Sequence, residues 1–128
     1  MCESMKQRME FCKQVGNGLP GAKVYYREDW DAYYFDLLGK YFGLMSSEAN
    51  ENAIITLKGL PDENEALRHM YADIIPGYYS NKRHWNSIML KTEVLSNETI
   101  AQMIKQSYQL VLDKFPKKVK ATIIDETA

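Results

Sequence analysis

Three segments that favour β-strands follow one another with very little chain between them. Each is rich in aromatic and β-branched residues, and they are AKVYYRE (22–28), AYYFDLL (32–38) and KYFGLMS (40–46). The polar REDWD stretch separates the first two, and Gly39-Lys40 lies between the second and third. Connections this short join antiparallel neighbours, because a parallel pair needs a crossover of about a dozen residues or more. The sequence therefore predicts an antiparallel meander, which continues through the loop SSEANEN into a fourth strand, NAIITLK (52–58).

Helical patterns lie on both sides of this meander. Apolar residues at spacings of three and four predict an amphipathic helix over residues 2–15, which Gly16-Asn17-Gly18 ends. Pro61 and the acids that follow it predict the first turn of a second helix. The side chains expected on the buried side of that second helix are Leu67, Met70 and Tyr71.

The second half of the chain adds one more strand and one more helix. HWNSIMLK (84–91) alternates as a fifth strand with both faces partly covered, and Ser96 is a typical N-cap for a third helix that Pro116 ends. The tail after Pro116 does not decide between a short extended piece and a frayed end. The order of elements indicates an α+β two-layer fold, with an antiparallel sheet of about five strands packed with about three helices, in a single domain over residues 1–128.

Composition narrows the classes of protein. Hydrophobic residues make up 45% and charged residues 26%, which are ordinary globular values. No apolar run reaches the roughly 18 residues of a membrane span, and the charged N-terminal segment does not resemble a signal peptide. Cys2 and Cys12 lie about 15 Å apart if their segment is helical, too far for a disulfide. We therefore expect a cytoplasmic protein with no membrane partner, and the sequence does not indicate its oligomeric state.

The segment PGYYSNKRHWN (76–86) concentrates aromatic rings, cations and amides. It begins the basic part of a chain whose net charge is −1, since residues 76–120 hold eight lysines or arginines and three acids. Cations contact phosphate, and aromatic rings and amides stack on bases or bond to them, so the segment predicts a nucleic-acid surface. Lysines that extend this surface, if the last helix packs nearby, are Lys114, Lys117, Lys118 and Lys120. The alternative is purely structural: a Pro-Gly turn, packed Tyr78 and Trp85, and solvated cations.

Signatures of catalysis and metal binding are absent from the sequence. It has no phosphate-binding loop, dinucleotide fingerprint, zincin motif or nucleophile elbow. His69 follows Glu65 by four residues, which indicates a surface pair on the second helix, and His84 has no identifiable carboxylate or nucleophile partner. Two histidines and two distant cysteines do not supply the ligands of a metal site. We therefore expect no enzymatic activity, no metal and no cofactor.

At DIIPGYYSNKRHWNSIML (73–90) the sequence resembles the MmcQ/YjbR family of small bacterial proteins, whose hallmark is a segment of the form P-G-Y-h-x-N-K-[KR]-H-W-N. Similar segments are LPGAKVYYREDWDAYYFDLLGKYFGLM, ITLKG and IAQMIKQSYQLVLDKFPKK, so the resemblance covers most of residues 12–120. It implies a two-layer fold similar to type III secretion chaperones and the CyaY-like group, also described as a double wing. It also implies DNA binding, a label that rests on analogy of fold and surface. The matching positions are Pro76, Gly77, Tyr78, Asn81, Lys82, His84, Trp85 and Asn86, with Lys58, Ser107 and Tyr108 elsewhere.

Two positions depart from the pattern of the family. Tyr79 replaces a usual histidine, and Thr56 stands where asparagine or serine is common. A phenol still offers a donor and a stacking face, so Tyr79 favours binding over general-base catalysis. The leading hypothesis is a non-enzymatic binding module for DNA or another nucleic acid, with a contact set of Lys58, Tyr79, Asn81, Lys82, Arg83, His84, Asn86, Lys117 and Lys118. The alternatives are a chaperone-like domain that binds a peptide or protein, and a small-molecule site around His84, Tyr79 and Lys58.

Overall fold

The computed structural model describes the backbone of residues 2–77 and 81–127 and the side chains of residues 5–77 and 81–123. Its elements are α1 (Cys2–Asn17), β1 (Ala22–Arg27), β2 (Ala32–Leu37), β3 (Lys40–Ser46), β4 (Ile54–Lys58), α2 (Pro61–Met70), β5 (Ile74–Pro76), β6 (Trp85–Met89), α3 (Asn97–Leu112) and α4 (Lys117–Thr127). None of the helices in this described part of the chain is long and apolar enough to cross a membrane.

The strands form one antiparallel sheet in the order β1-β2-β3-β4-β6-β5. The predicted meander is confirmed as its first four strands. The connection from β2 to β3 is a two-residue turn, because Leu37 pairs with Lys40 and the residues between them, Leu38 and Gly39, have positive φ angles of 52° and 91°. Two successive positive φ angles give the tight turn that matches the twist of antiparallel strands.

The described helices pack on one face of the sheet, which makes the molecule two-layered. Met9 and Cys12 of α1 and Ile100 and Ile104 of α3 join one hydrophobic core with strand residues such as Phe35. The N-cap prediction for α3 is confirmed, since Ser96 Oγ accepts a hydrogen bond from the Thr99 backbone N–H at 3.1 Å. The predicted α+β two-layer class is confirmed.

The described elements exceed the expected numbers by one strand and one helix. β5 pairs with β6 at the edge of the sheet and has only three residues, which are too few to show the alternation that predicts a strand. The tail that the sequence left undecided forms α4, whose Ile123 is buried in the core close to Gly21.

The buried side of α2 differs from the prediction. Met70 is 68% exposed, and the buried residue of this helix is Asn64. Leu67 and Tyr71 are partly buried against the core. Asn64 lies under the β6 end of the sheet because α2 meets that end through polar contacts.

Candidate nucleic-acid interface

The chain enters β6 through a compact turn, residues 81–84, which we call the basic turn. Asn81 organises it. The side-chain Oδ1 of Asn81 accepts a hydrogen bond from the Arg83 backbone N–H at 2.9 Å, and its carbonyl accepts from the N–H groups of His84 and Trp85 at 3.1 and 3.0 Å. An asparagine that bonds the backbone two residues ahead fixes a turn locally. Asn81, which the sequence assigned to the contact set, therefore holds the backbone of the basic turn with its side-chain oxygen.

Helix α2 holds the basic turn from the inside. Arg68 Nη1 donates to the Lys82 carbonyl at 2.6 Å, and Asn64 Nδ2 donates to the Arg83 carbonyl at 3.1 Å. The two carbonyl groups therefore face α2, whereas the side chains of Lys82, Arg83 and His84 are exposed. The turn thus has a fixed backbone and solvent-facing cations.

Lys58 lies next to this turn at the end of β4. It pairs with Trp85 across the sheet, and the following N–H, that of Gly59, donates to the His84 carbonyl at 2.9 Å. A Cβ atom at position 59 would lie 2.2 Å from Asn64 Oδ1, so any other residue would force the buried Asn64 side chain away from its bond to the turn. The distance between Lys58 and the turn is therefore set by backbone bonds rather than by side chains.

Two further lysines approach Lys58. Burial, and after it the charges of Lys114 and Lys40, hold the pKa of the Lys58 amine below its usual value. Lys40 also lies over the ring of Phe115, 5.6 Å from its centroid. Among the residues that the structure describes, no carboxylate lies within 4.0 Å of any of these three amines. We call Lys40, Lys58 and Lys114 the lysine cluster.

Trp85 connects the basic turn to the sheet. Its ring stacks on Tyr41 with centroids 4.9 Å apart, and its carbonyl accepts from the Gly77 N–H at 2.8 Å. A Cβ atom at position 77 would lie 2.7 Å from the Trp85 Cβ, so the strands can approach only if residue 77 is glycine. The packed position predicted for Trp85 is confirmed, whereas the predicted Pro-Gly turn is wrong. Pro76 ends β5 and pairs with Asn86, and Gly77 bonds across the sheet to Trp85. Tyr78 and Tyr79 lie outside the described residues.

The comparisons with known proteins decide the family. The YjbR family model matches residues 17–110. The chain belongs to the YjbR family. It is 27% identical over 105 residues to the uncharacterized protein YjbR of Escherichia coli K12, covering 82% of this chain and 87% of that protein. It is also 30% identical over 109 residues to the uncharacterized protein YbdF of Escherichia coli O157:H7, covering 85% and 88%.

Solved structures agree with this YjbR-family fold. The crystal structure of Deinococcus radiodurans protein DR2400, with the family-model domain DUF419, superposes with a TM-score of 0.79 at 26% identity and covers 90% of this chain and 86% of that one. A Pseudomonas syringae crystal structure superposes with a TM-score of 0.66 at 23% identity, covering 80% and 97%, and it supports the fold alone. The resemblance in the sequence is confirmed.

The YjbR-family motif divides between the two sides of the sheet. Asn86 is only 6% exposed; its Nδ2 donates to the Asn64 carbonyl and its Oδ1 accepts from Arg68, both at 3.1 Å. It therefore holds α2 and is not on the surface with the basic turn. Lys117 and Lys118 are exposed in the first turn of α4, and no contact among the described residues joins them to the basic turn.

Sequence reasoning missed Lys40, Asn64 and Arg68. Asn64 and Arg68 are four residues apart on α2, a spacing that places both on one side of a helix. Their shared role could have been predicted from this spacing. Lys40 carries no such signal, because it appears only as a turn-flanking residue. Lys40 lies near Lys58 only in the folded sheet, where β3 pairs with β4.

The region around the motif offers little room for a small molecule and no group of metal ligands among the described residues. The cavity beside Lys58 has a volume of about 20 Å³, which suits about one water molecule. No side chain among the described residues bonds to the exposed His84 imidazole, and none of their His, Cys, Asp and Glu residues form a group of three placed to hold a metal ion. The surface pair of His69 and Glu65 is confirmed at 4.0 Å.

Proposed function

We propose that this YjbR-family protein is a binding module for nucleic acid and that its phosphate-contacting surface joins the lysine cluster to the basic turn. The observation that carries this proposal is that Lys58, which lies near Lys40 and Lys114, pairs with Trp85 directly after the turn that carries Lys82 and Arg83. Among the described residues, none of these cations forms an ion pair with a carboxylate. Such a group is repulsive by itself and is relieved when a polyanion binds.

The fixed backbone supports binding in a second way. Bonds from Asn64, Arg68 and Asn81 already hold the turn, so less backbone entropy is lost when its side chains contact a ligand. Contacts to phosphate oxygens set affinity and position without selecting a base sequence. We therefore propose affinity that is salt-dependent and largely independent of sequence.

Paired charge reversals test this surface. Lys82→Glu with Arg83→Glu should weaken binding of a labelled oligonucleotide, measured by fluorescence anisotropy between about 50 and 200 mM salt. The slope of log affinity against log salt should also become shallower, by about 0.7 to 0.9 for each phosphate contact that is lost. Lys6→Glu with Lys91→Glu is the matched control, since both lysines are exposed and lie near the opposite end of β6, where Arg8 of α1 bonds the Leu90 carbonyl.

The control variant changes the net charge by the same amount as the turn variant. If the two variants show equal affinities and equal salt slopes, any binding reflects overall charge, and the proposed surface is wrong. If wild-type protein binds no oligonucleotide even at the lowest salt, the proposed function is wrong.

One observation favours the second candidate, a peptide- or protein-binding domain. A groove of about 340 Å³ lies between α2 and α3, and its apolar lining includes Leu67, Met70 and Met103. An apolar groove between two helices suits an apolar segment of a partner. This candidate predicts that Met70→Glu abolishes capture of a cellular protein, whereas Lys82→Glu with Arg83→Glu leaves that capture intact.

A further inference from the structure

The sheet face opposite the helices carries a continuous path of aromatic rings. Tyr25 lies 5.6 Å from Tyr34, Tyr34 lies 5.7 Å from Tyr41, and Tyr41 lies 4.9 Å from Trp85, all between ring centroids. Trp30 contacts both Tyr34 and Tyr41, at 5.8 and 6.0 Å. We call these five rings the aromatic path. It runs from edge strand β1 to β6, where it ends beside Lys58.

Strand alternation explains why these rings share one face. Phe35 and Phe42 belong to the core under the helices, so their neighbours Tyr34 and Tyr41 lie on the other side. The register between β2 and β3 shifts between Phe35 and Asp36, and the rings of Tyr34 and Tyr41 are in contact across this shift. Four of the five rings are therefore placed by strands of the sheet, and Trp30 lies in the turn that joins β1 to β2.

The path is exposed mainly at its β1 end. Tyr25 is 39% and Trp30 41% exposed, whereas Tyr34 and Trp85 are largely covered by their neighbours. The exposed pair is thus backed by packed rings that hold it in place. Exposure of a large aromatic surface to water is energetically unfavourable, so a patch of exposed aromatic rings indicates a contact site.

Cations accompany the exposed rings. The Lys23 amine lies 5.5 Å from the Tyr25 ring centroid, and the Arg27 guanidinium lies 4.9 Å from the centroids of both Trp30 and Tyr34. Two acids at the hairpin tip are already bonded: Asp29 pairs with Arg27 at 2.6 Å, and Asp31 accepts from the Tyr26 hydroxyl at 2.7 Å. Cations of β1 therefore accompany the β1 end of the path, and Lys58, the cross-strand partner of Trp85, lies at its other end.

We infer that the aromatic path is a stacking platform for unpaired bases and that the nucleic acid bound is single-stranded. This inference rests on the proposed function. Bases of a single strand can stack on aromatic side chains while the phosphates contact neighbouring cations, whereas the bases of a duplex are stacked on each other. Rings along the path with cations beside both of its ends match the first ligand and not the second.

Three probes of equal length separate stacking from charge: oligothymidylate, an abasic strand with the same phosphates, and a DNA duplex. Oligothymidylate should bind about tenfold or more tightly than the abasic strand, because one stacked base contributes about 1–3 kcal/mol. It should also quench the intrinsic fluorescence, since both tryptophans of the chain, Trp30 and Trp85, belong to the path.

Two substitutions and one control locate the stacking. Trp30→Ala and Tyr25→Ala should each weaken oligothymidylate binding by about tenfold and leave abasic-strand binding unchanged. Tyr26→Ala should change neither, because Tyr26 is exposed and packs against Tyr33 on the opposite side of the hairpin. The use of two independent exposed positions keeps the test decisive if one variant folds poorly.

The outcomes distinguish the inference from the function on which it rests. Equal binding of all three probes, unaffected by Trp30→Ala and Tyr25→Ala, would overturn the stacking platform and leave the basic surface standing. Binding to none of the probes would overturn both. A proline-rich peptide that binds wild type and loses affinity in Trp30→Ala, while oligothymidylate does not, would assign the platform to a protein partner and overturn the inference.

Discussion

Asn86 and Arg68 show how polar side chains near the basic turn are used inside the protein. A buried amide costs about 1–3 kcal/mol if its groups stay unbonded, so a buried asparagine must find partners. Asn86 finds them in Asn64 and Arg68, and Arg68 in turn holds the Lys82 carbonyl. These residues position the backbone of the turn that carries Lys82 and Arg83.

Cys12 gives a prediction at the same scale. It is a free thiol with no exposed surface, and burial raises its pKa to about 12. At about pH 8 such a thiol is ionised in about one molecule in ten thousand, and only the thiolate reacts. In a Cys2→Ser background, the native protein should therefore react with Ellman's reagent very slowly, and unfolding in guanidinium should release one fast-reacting thiol.

The unfolded protein provides the internal control for this measurement. Rapid reaction of the native protein, at the rate of an exposed cysteine peptide, would show that the α1 packing is wrong.

The sequence predicts single residues best where packing alone determines them. The apolar spacing of α1 predicts a buried side for Cys12, which agrees with the structure. The Pro-Gly pair predicted a turn instead of what is found, since Pro76 is the last residue of β5 and Gly77 bonds to Trp85 across the sheet. Asn86 was predicted to contact the ligand instead, because alternation assigns a residue to a face but not to a hydrogen-bond partner. That partner is contributed by α2, which lies about twenty residues earlier in the chain.

At the scale of elements, Ser107 joins α3 to two strands. Its Oγ accepts from the Lys58 backbone N–H at 2.8 Å and donates to the Phe42 carbonyl. One buried hydroxyl thus satisfies groups at the end of β4 and within β3. The lysine cluster depends on this junction, because Lys58 and Lys40 belong to those strands.

Ser107→Ala should lower the free energy of unfolding by about 1–3 kcal/mol, since it leaves a buried N–H and a buried carbonyl without this partner. Urea denaturation followed by circular dichroism measures the change. Gln102→Ala, on the exposed side of the same helix, is the control and should change stability by about 0.5 kcal/mol or less. Equal midpoints for the two variants would mean that Ser107 does not join these elements.

Elements with a strong local pattern were predicted correctly, and those that depend on tertiary contacts were not. Pro61 and Ser96 mark the starts of α2 and α3 in the sequence as they do in the structure. β5 has only three residues and is stabilised by its pairing with β6. α4 packs on the molecule through Ile123, and the core that Ile123 joins is formed by distant residues. Met70 fits the apolar stripe of α2 but stays exposed, since that helix packs through Asn64.

At the scale of the whole molecule, the two layers separate three surfaces. The β4–β6 end of the sheet carries the lysine cluster and the basic turn, the open sheet face carries the aromatic path, and the helical layer carries the apolar groove between α2 and α3. The net charge of −1 does not indicate the cations at this end of the sheet, because acids elsewhere in the chain balance them. Each surface predicts a different ligand contact, so locating the contact decides among them.

The central claim is that nucleic acid contacts the basic end of the sheet. The most direct test is a titration of ¹⁵N-labelled protein with an oligonucleotide, followed by the shifts of backbone amide signals. Binding at this end should give the largest shifts at Gly59, Arg83 and Lys114, with small shifts at Met70 and Met103. Largest shifts at Met70 and Met103, or no shifts anywhere at saturating oligonucleotide, would contradict it.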